Sequence, residues 1–316
     1  MVGLGYALTS VDIGNSLVAN AGDSDSELRS AGKYTNPLLE CNIARDTIES
    51  RKLDFSPELT SLVNDIEATD GVVSMSVYYR DLNNGPISGV NQSDDFSPAS
   101  LLKVPIMMAY LEHSEKDPSI LSTTYSIDEL DRSPIDVTQT IPPEQVLVPK
   151  IQYTAKELIE HMIKYSDNAA MMLLYKHMPT DELKDLFTLM GVDPDVVSDA
   201  TKKISVRQYS IFFRILFNAS YLSRVDSEYA LSLLAESNFD KGLHAGVPSG
   251  VPIAHKFGER RVDTGLQQLH DCGIVYYPKH PYLLCMMTRG SDVHALEKAL
   301  AKTSAFVYKK IDDQYR

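Results

Sequence analysis

The sequence predicts an α/β, more strictly α+β, fold in which two lobes share one sheet. Strand-like patterns occur near both ends of the folded region, and the section between them is mostly helical. The chain has 316 residues, of which 43% are hydrophobic, so it is long enough to bury a substantial core. These observations favour a sheet lobe built from both ends of the chain, with a helical lobe inserted between them.

The first elements are a packing helix and a hairpin. Ser56-Pro57-Glu58 predicts a helix start, because it offers a hydroxyl cap, a proline in the first turn and an acid near the positive end of the helix dipole. Apolar residues at helical spacing follow at Leu59, Leu62, Val63 and Ile66. Residues 72–79 then predict a strand, the Asn-Asn-Gly sequence at 83–85 a turn, and residues 87–90 a returning strand.

Helices are predicted through the middle of the chain. Thr154 and Glu157 have the spacing of a capping box, which predicts a helix that ends near Lys164. Further helical patterns occupy residues 101–115, 168–177, 180–190, 206–217 and 227–234. Strands are predicted at residues 253–256, 273–277 and 282–288, before a last helix over residues 291–311.

These elements suggest a domain organisation. Residues 1–52 are predicted to be an N-terminal polar tether or extension, because residues 21–36 are rich in glycine, serine and aspartate. The folded domain is expected to span residues 53–316. Its sheet lobe would comprise about residues 53–99 and 247–316, and its helical lobe about residues 100–246.

Charge and hydropathy limit the classes of partner. The net charge of −13 argues against a nucleic-acid partner, whose phosphates it would repel, and leaves no basic face for anionic lipid. No run of about 18 apolar residues is present, so no membrane span is predicted. Residues 1–20 lack the basic start and small-residue cleavage site of a signal peptide. The sequence therefore leaves export open, with loss of a leader as one hypothesis and a cytoplasmic protein as the other.

The cysteines and histidines predict neither a metal nor a cofactor. Cys41, Cys272 and Cys285 are too few and too scattered for a disulfide framework or a zinc knuckle. Cys272 and Cys285 flank a predicted hairpin and could face each other across it, although two buried free thiols are the favoured interpretation. The histidines have no metal-ligand spacing.

Ser100 and Lys103 form the most informative pair in the sequence. They lie in a Ser-x-x-Lys pattern at the start of a predicted apolar helix. A serine hydroxyl is a poor nucleophile near neutral pH and needs an adjacent base. Because positions i and i+3 share one face of a helix, Lys103 can reach the Ser100 hydroxyl.

Two further elements follow in a fixed order, Ser166-Asp167-Asn168 and Lys256-Phe257-Gly258. Each element is a weak signal by itself, but the three in order, with their flanks, resemble the class A β-lactamase and penicillin-binding protein superfamily of serine hydrolases. The likeness runs from about residue 55 to the C-terminus. It implies a β-lactamase/transpeptidase-like fold, with an antiparallel sheet flanked by terminal helices and an inserted all-helical lobe.

The resemblance also implies roles for these residues. Ser100 would be the acylated nucleophile, Lys103 its base or proton shuttle, and Ser166 the group that passes a proton to the leaving nitrogen. Asn168 would hold Lys103 and the substrate amide, and Lys256 would bind the substrate carboxylate. The backbone N–H groups of Ser100 and Glu259 would form the oxyanion hole, with Gly258 among the substrate-binding residues.

Two departures from the family pattern carry consequences. Phe257 stands where the family usually has a hydroxyl residue that hydrogen-bonds the substrate carboxylate, so binding should weaken unless Thr264, Arg260 or Arg261 compensates. The sequence also has no glutamate between Glu182 and Glu228, where class A β-lactamases carry the deacylating glutamate of an Ω-shaped loop. Residues 191–204 offer three aspartates instead: Asp193, Asp195 and Asp199.

The leading hypothesis is a serine hydrolase of class A β-lactamase type, which forms an acyl-Ser100 intermediate with β-lactams or related amides and deacylates slowly. The alternatives are a D,D-peptidase or penicillin-binding-like cell-wall enzyme, and a non-enzymatic sensor that binds β-lactams or muropeptides. The expected partner is a small β-lactam or a cell-wall peptide, and the protein is expected to be a monomer. By resemblance its location would be periplasmic or extracellular.

Overall fold

The computed structural model describes residues 32–37, 54–68, 71–83, 85–130, 141–178, 180–199, 201–261 and 265–316. Most of the predicted tether lies outside the described residues, as do Cys41 and Thr264. The division into a tether and a two-lobed domain therefore stays a prediction.

Five antiparallel strands form the main sheet: Val72–Asp81 (β1), Ile87–Val90 (β2), Ile253–Arg261 (β7), Gln267–Val275 (β8) and Tyr282–Gly290 (β9). Their order across the sheet is β2-β1-β9-β8-β7. Two short ladders pair Asp95–Phe96 (β3) with Ile204–Ser205 (β6), and Thr124–Ser126 (β4) with Gln152–Thr154 (β5). The predicted sheet of strands from both ends of the chain is confirmed, and β7 lies at one edge of it.

Eight α-helices accompany the sheet in the described part of the chain. They are Ser56–Glu67 (α1), Lys103–Lys116 (α2), Ala155–Lys164 (α3), Asn168–Lys176 (α4), Thr180–Leu189 (α5), Val206–Phe217 (α6), Arg224–Leu234 (α7) and Val293–Tyr315 (α8). The predicted capping box of α3 is present, because the Glu157 N–H donates to Thr154 Oγ1 while the Thr154 N–H donates to the Glu157 carboxylate.

Two apolar cores lie on opposite faces of the sheet. Helices α1 and α8 pack on one face, where Leu59, Val63 and Leu300 are fully buried. The other face packs against the helical lobe, whose centre is α2. Every α2 residue from Lys103 to Leu111 is buried, so the segment that follows Ser100 runs through the middle of the lobe.

Strand β8 departs from the prediction, because it begins at Gln267 rather than at residue 273. Its first half carries the polar residues Gln268, His270 and Asp271, all of them buried. A strand buried on both faces with polar side chains shows neither the apolar run nor the alternation that marks strands in a sequence. The prediction therefore found only the apolar second half.

The interpretation of Cys272 and Cys285 as free thiols is wrong. The two residues lie directly opposite each other in the β8–β9 ladder, as the hairpin suggested, and they are joined as a disulfide. Both side chains are buried among apolar neighbours.

Among the described residues, no helix has both the length and the apolar character that crossing a bilayer requires.

Candidate active site

Ser100 lies in a tight turn that joins the sheet to α2. Residues Ala99–Leu102 form a single 3₁₀ turn, and Ala99 has a φ of +50°. This left-handed conformation is costly for a residue with a side chain, on the order of 1–2 kcal/mol. Such strain persists where the surroundings impose it, and here Ser97, two residues before Ala99, is held by three side chains.

Three side chains from the sheet hold Ser97. The Ser97 N–H donates to Gln268 Oε1 at 3.0 Å, and Arg260 Nη1 donates to Ser97 Oγ at 3.0 Å. The Ser97 carbonyl lies 3.0 Å from His270 Nε2, while His270 Nδ1 accepts from the Thr288 N–H. Both ring nitrogens therefore have partners that suit a neutral imidazole, and burial lowers the pKa of His270 to about 4. The nucleophile turn is thus anchored to the sheet.

Lys103 is the centre of the site. Its ammonium nitrogen lies 3.1 Å from Ser100 Oγ, 3.0 Å from Ser166 Oγ and 2.8 Å from Asn168 Oδ1. It also donates to the Ser166 carbonyl oxygen at 2.6 Å. The structure therefore brings together four of the residues that the sequence analysis named.

The environment of Lys103 favours the neutral amine. The side chain is fully buried, and burial lowers the pKa of Lys103 to about 7, against the opposing negative charges of Asp167 and Glu259. A neutral amine 3.1 Å from a serine hydroxyl can accept its proton. The pair can therefore generate a nucleophile near neutral pH.

The Ser166-Asp167-Asn168 segment is fixed by the start of α4. Asp167 caps this helix, because its Oδ1 accepts from the backbone N–H groups of Ala169 and Ala170. Ser166 has a φ of +56°, again a left-handed residue with a side chain. The cap and the turn together direct Ser166 and Asn168 toward Lys103.

Lys256 extends the network from strand β7. Its ammonium nitrogen donates to Ser166 Oγ at 2.9 Å and to the Phe257 carbonyl at 3.0 Å. Burial and the neighbouring Lys103 lower the pKa of Lys256, whereas Asp271 acts in the opposite direction. A continuous chain of polar contacts thus runs from Ser100 through Lys103 and Ser166 to Lys256.

Gly258 allows β7 to approach the nucleophile turn. A Cβ atom at this position would lie 3.0 Å from the Leu101 nitrogen and 3.2 Å from the Ser100 nitrogen. The next residue, Glu259, lies partly exposed beside the site, and its Oε1 accepts from the Ile141 N–H at 2.7 Å. The residues predicted to supply the oxyanion hole therefore lie on two segments in direct contact.

The structure also locates Phe257, which stands in place of the family's hydroxyl residue, and two arginines that could compensate for that hydroxyl. Phe257 stacks on Phe239 with ring centroids 4.3 Å apart, and Arg260 is engaged with Ser97. Arg261 is exposed at the end of β7.

Two aspartates of the 191–204 segment have local partners for their carboxylates. Asp193 pairs with Lys202 at 2.6 Å and accepts from the Asp195 N–H. Asp199 accepts from the backbone N–H and hydroxyl of Thr201. The carboxylates whose charges act on Lys103 are instead those of Asp167 and Glu259.

Sequence reasoning missed a buried pair of polar side chains, His255 of β7 and Asp271 of β8. His255 Nδ1 lies 2.8 Å from Asp271 Oδ1, and Asp271 Oδ2 accepts from the Leu243 N–H at 2.7 Å. The roles of Gln268 and His270 in holding Ser97 were missed as well. The available signal was a set of polar residues within a predicted sheet region, which implies partners for each of them.

Within the described segments, no group of three or more His, Cys, Asp or Glu side chains is placed to bind a metal ion.

Comparisons with known proteins agree with this geometry. A family model described as Beta-lactamase enzyme family matches residues 58–311. No curated protein matches the chain.

Solved structures share the fold at low identity. PBP-A aligns with a TM-score of 0.67 at 22% identity, covering 82% of this chain and 97% of that chain. A beta-lactamase from Chitinophaga pinensis DSM 2588 aligns with a TM-score of 0.66 at 20% identity, covering 80% and 98%. TLA-1 extended spectrum beta-lactamase aligns with a TM-score of 0.67 at 16% identity, covering 82% and 99%. At these identities the likeness establishes the fold alone.

Proposed function

Because the chain belongs to the Beta-lactamase enzyme family, we propose that it is a serine hydrolase that forms an acyl-Ser100 intermediate with β-lactams or related amides. The single observation that carries this proposal is the fully buried Lys103 amine, which lies 3.1 Å from Ser100 Oγ and has a pKa lowered to about 7 by burial. A buried amine beside a serine hydroxyl is suited to activating a nucleophile.

The contacts support a definite order of proton transfers. Lys103 accepts the Ser100 proton as Ser100 Oγ bonds to the carbonyl carbon, and the backbone N–H groups of Ser100 and Glu259 bind the developing oxyanion. As the carbon–nitrogen bond breaks, Ser166 delivers a proton to the leaving nitrogen and recovers one from Lys103, 3.0 Å away. Lys256 holds the Ser166 hydroxyl in place, and Asn168 orients Lys103 and the substrate amide.

Slow deacylation is the second part of the proposal. Hydrolysis of an acyl-enzyme needs a base within reach of an attacking water. The 191–204 segment has no glutamate, and its Asp193 and Asp199 carboxylates are engaged with Lys202 and Thr201. We expect the acyl-enzyme to accumulate.

Mass spectrometry of the intact protein tests the first part. Incubation with benzylpenicillin should add one β-lactam mass to the wild type and none to Ser100→Ala. Equal labelling of both proteins, or no labelling of either, would contradict the role of Ser100.

Hydrolysis of a chromogenic cephalosporin tests the second part. We expect a burst of about one equivalent of enzyme, followed by a slow steady state. Rapid turnover without a burst would show that another group supplies the deacylating base.

A D,D-peptidase of the penicillin-binding type is the second candidate. The observation that favours it is the absence of a glutamate in the 191–204 segment. An enzyme that acts on cell-wall peptides does not turn over β-lactams, so it does not need a deacylating glutamate there. The fold is shared with PBP-A, and another structure of a PBP-A mutant is described as an acyl-enzyme complex with penicillin-G. Release of D-alanine from a peptide ending in D-alanyl-D-alanine would favour this candidate. An adduct that persists for hours without peptide release would favour a sensor.

The location and assembly of the protein are also proposed from the family. A monomer in the periplasm or outside the cell would meet β-lactams and cell-wall peptides directly. Fractionation of cells that express the natural gene, and light scattering of the purified protein, test these two points.

A further inference from the structure

The lysine of β7 is buried and held mainly by contacts within the protein. An ammonium group carries three N–H donors. The Lys256 nitrogen directs hydrogen bonds to Ser166 Oγ at 2.9 Å and to the Phe257 carbonyl at 3.0 Å, and it lies 4.1 Å from the centroid of the Phe257 ring. The side chain has no exposed surface. Two of its three donors are therefore engaged within the protein, and the Phe257 ring lies against the same ammonium group.

Phe257 cannot supply the missing donor. Its ring has no hydrogen-bonding atom, and it is 3% exposed. The ring stacks on Phe239 at 4.3 Å with an angle of 20° between the planes, within the core beneath α8. Rotation of this side chain away from Lys256 would disrupt a packed aromatic pair, so the arrangement is fixed.

Among the described residues, one carboxylate lies beside this part of the cleft, and two nearby guanidinium groups have other partners. Glu259 follows Gly258 directly and is partly exposed, and its negative charge reaches Lys103. Two nearby guanidinium groups are engaged behind the nucleophile turn, since Arg260 donates to Ser97 Oγ and Arg289 donates to the Asp95 carbonyl. Among the described residues, a carboxylate on the substrate would therefore meet the like charge of Glu259 here.

We propose that the protein is acylated faster by substrates whose leaving group carries no free carboxylate beside the scissile bond, such as esterified, amidated or chain-internal amides, than by the corresponding free acids. This rests on the proposed acyl-Ser100 chemistry. In that step the Ser100 Oγ–carbon bond forms, the carbon–nitrogen bond breaks, and the Ser100 proton reaches the leaving nitrogen through Lys103 and Ser166. A neutral leaving group avoids both the unpaired carboxylate and the repulsion by Glu259.

A matched pair of β-lactams tests the inference. Second-order rates of adduct formation are measured by intact mass for benzylpenicillin and for its methyl ester. Each rate is divided by the rate of alkaline hydrolysis of the same compound, which removes the difference in intrinsic reactivity. We expect the ester to react at least as fast as the acid on this scale.

Three outcomes are informative. A free acid that reacts 10-fold or more faster than the ester overturns the inference and leaves the acyl-Ser100 proposal intact. Adducts on Ser100 that form at least as fast with the ester as with the acid support both the acyl-Ser100 proposal and the inference. No adduct from either compound refutes the proposed function and, with it, this inference.

Variants of the same strand sharpen the test. A charge-assisted hydrogen bond changes binding by roughly 10-fold or more, so Phe257→Thr should shift the ester-to-acid ratio toward the acid by about that factor. Glu259→Gln, at a partly exposed position, should shift the ratio in the same direction without altering the aromatic pair. Arg261→Gln is the matched control and should leave the ratio unchanged. A loss of acid reactivity in Arg261→Gln would show that Arg261 binds the carboxylate, which overturns the inference.

Discussion

The dependence of acylation on pH tests whether the Lys103 amine is the base for Ser100. Burial lowers the pKa of Lys103 from 10.5 to about 7, so the amine is about half neutral at pH 7 and about 1% neutral at pH 5. If the neutral amine accepts the Ser100 proton, acylation should be about 50-fold slower at pH 5 than at pH 7. A further rise of about 2-fold is expected by pH 9.

The assay is the rate of benzylpenicillin adduct formation, followed by intact mass on quenched samples at constant ionic strength. The midpoint belongs to Lys103 and Lys256 together, because each lies beside Ser166 Oγ and the charge of one disfavours the charge of the other. A rate that stays constant from pH 5 to pH 9, or a midpoint near 10, would refute the role of a buried neutral amine.

A variant of Asp167 separates this explanation from a general effect of pH on folding. The negative charge of Asp167 raises the pKa of Lys103, so Asp167→Asn should move the midpoint to lower pH. Asparagine is also a good helix cap, and α4 should keep its start. Asp193→Asn, which removes an exposed carboxylate paired with Lys202, is the control and should leave the midpoint unchanged. Equal shifts in both variants would contradict the local explanation.

Three further predictions concern single positions. Lys103→Ala should lose acylation nearly as fully as Ser100→Ala, because the pair acts as a unit, and full reactivity of the lysine variant in the mass assay would point to another base. Gly258→Ala should slow acylation by about 10-fold or more, since its Cβ would lie 3.0 Å from the Leu101 nitrogen and force β7 away from the turn; an unchanged rate would show that β7 can shift freely. Thr154→Ala should reduce the free energy of unfolding by about 1 kcal/mol through loss of the α3 cap, measured by urea denaturation, with the acylation rate as the internal control.

Local sequence signals predicted the elements that have strong periodicity or caps. The helix after Thr154 follows from its capping box, and the helix Val206–Phe217 from its helical pattern. The strand Ile87–Val90 follows from the Asn-Asn-Gly turn signal before it. The start of β8 could not be predicted in this way, because its buried polar residues are satisfied by partners distant in sequence. The disulfide was missed because spacing brings two cysteines opposite each other without specifying their redox state.

In the candidate site, too, some contacts could be predicted from the sequence and others could not. The spacing of Ser100 and Lys103 was sufficient to predict that they meet, since both lie within one helical turn. The approach of Ser166 and Lys256 depended on family resemblance, because 66 and 156 residues separate them from Ser100. The stacking of Phe257 on Phe239 and the hydrogen bonds that hold Ser97 are tertiary contacts, and no local sequence pattern predicts them.

The hydrogen bond between Lys256 and Ser166 joins the two halves of the molecule, since Lys256 belongs to the sheet and Ser166 to the turn between α3 and α4. A small separation of the lobes would break this bond before either apolar core is disturbed. Reactivity of the serine would then decline while the secondary structure is still intact. The protein should consequently lose its proposed acylation by β-lactams on heating or in dilute denaturant ahead of its unfolding transition.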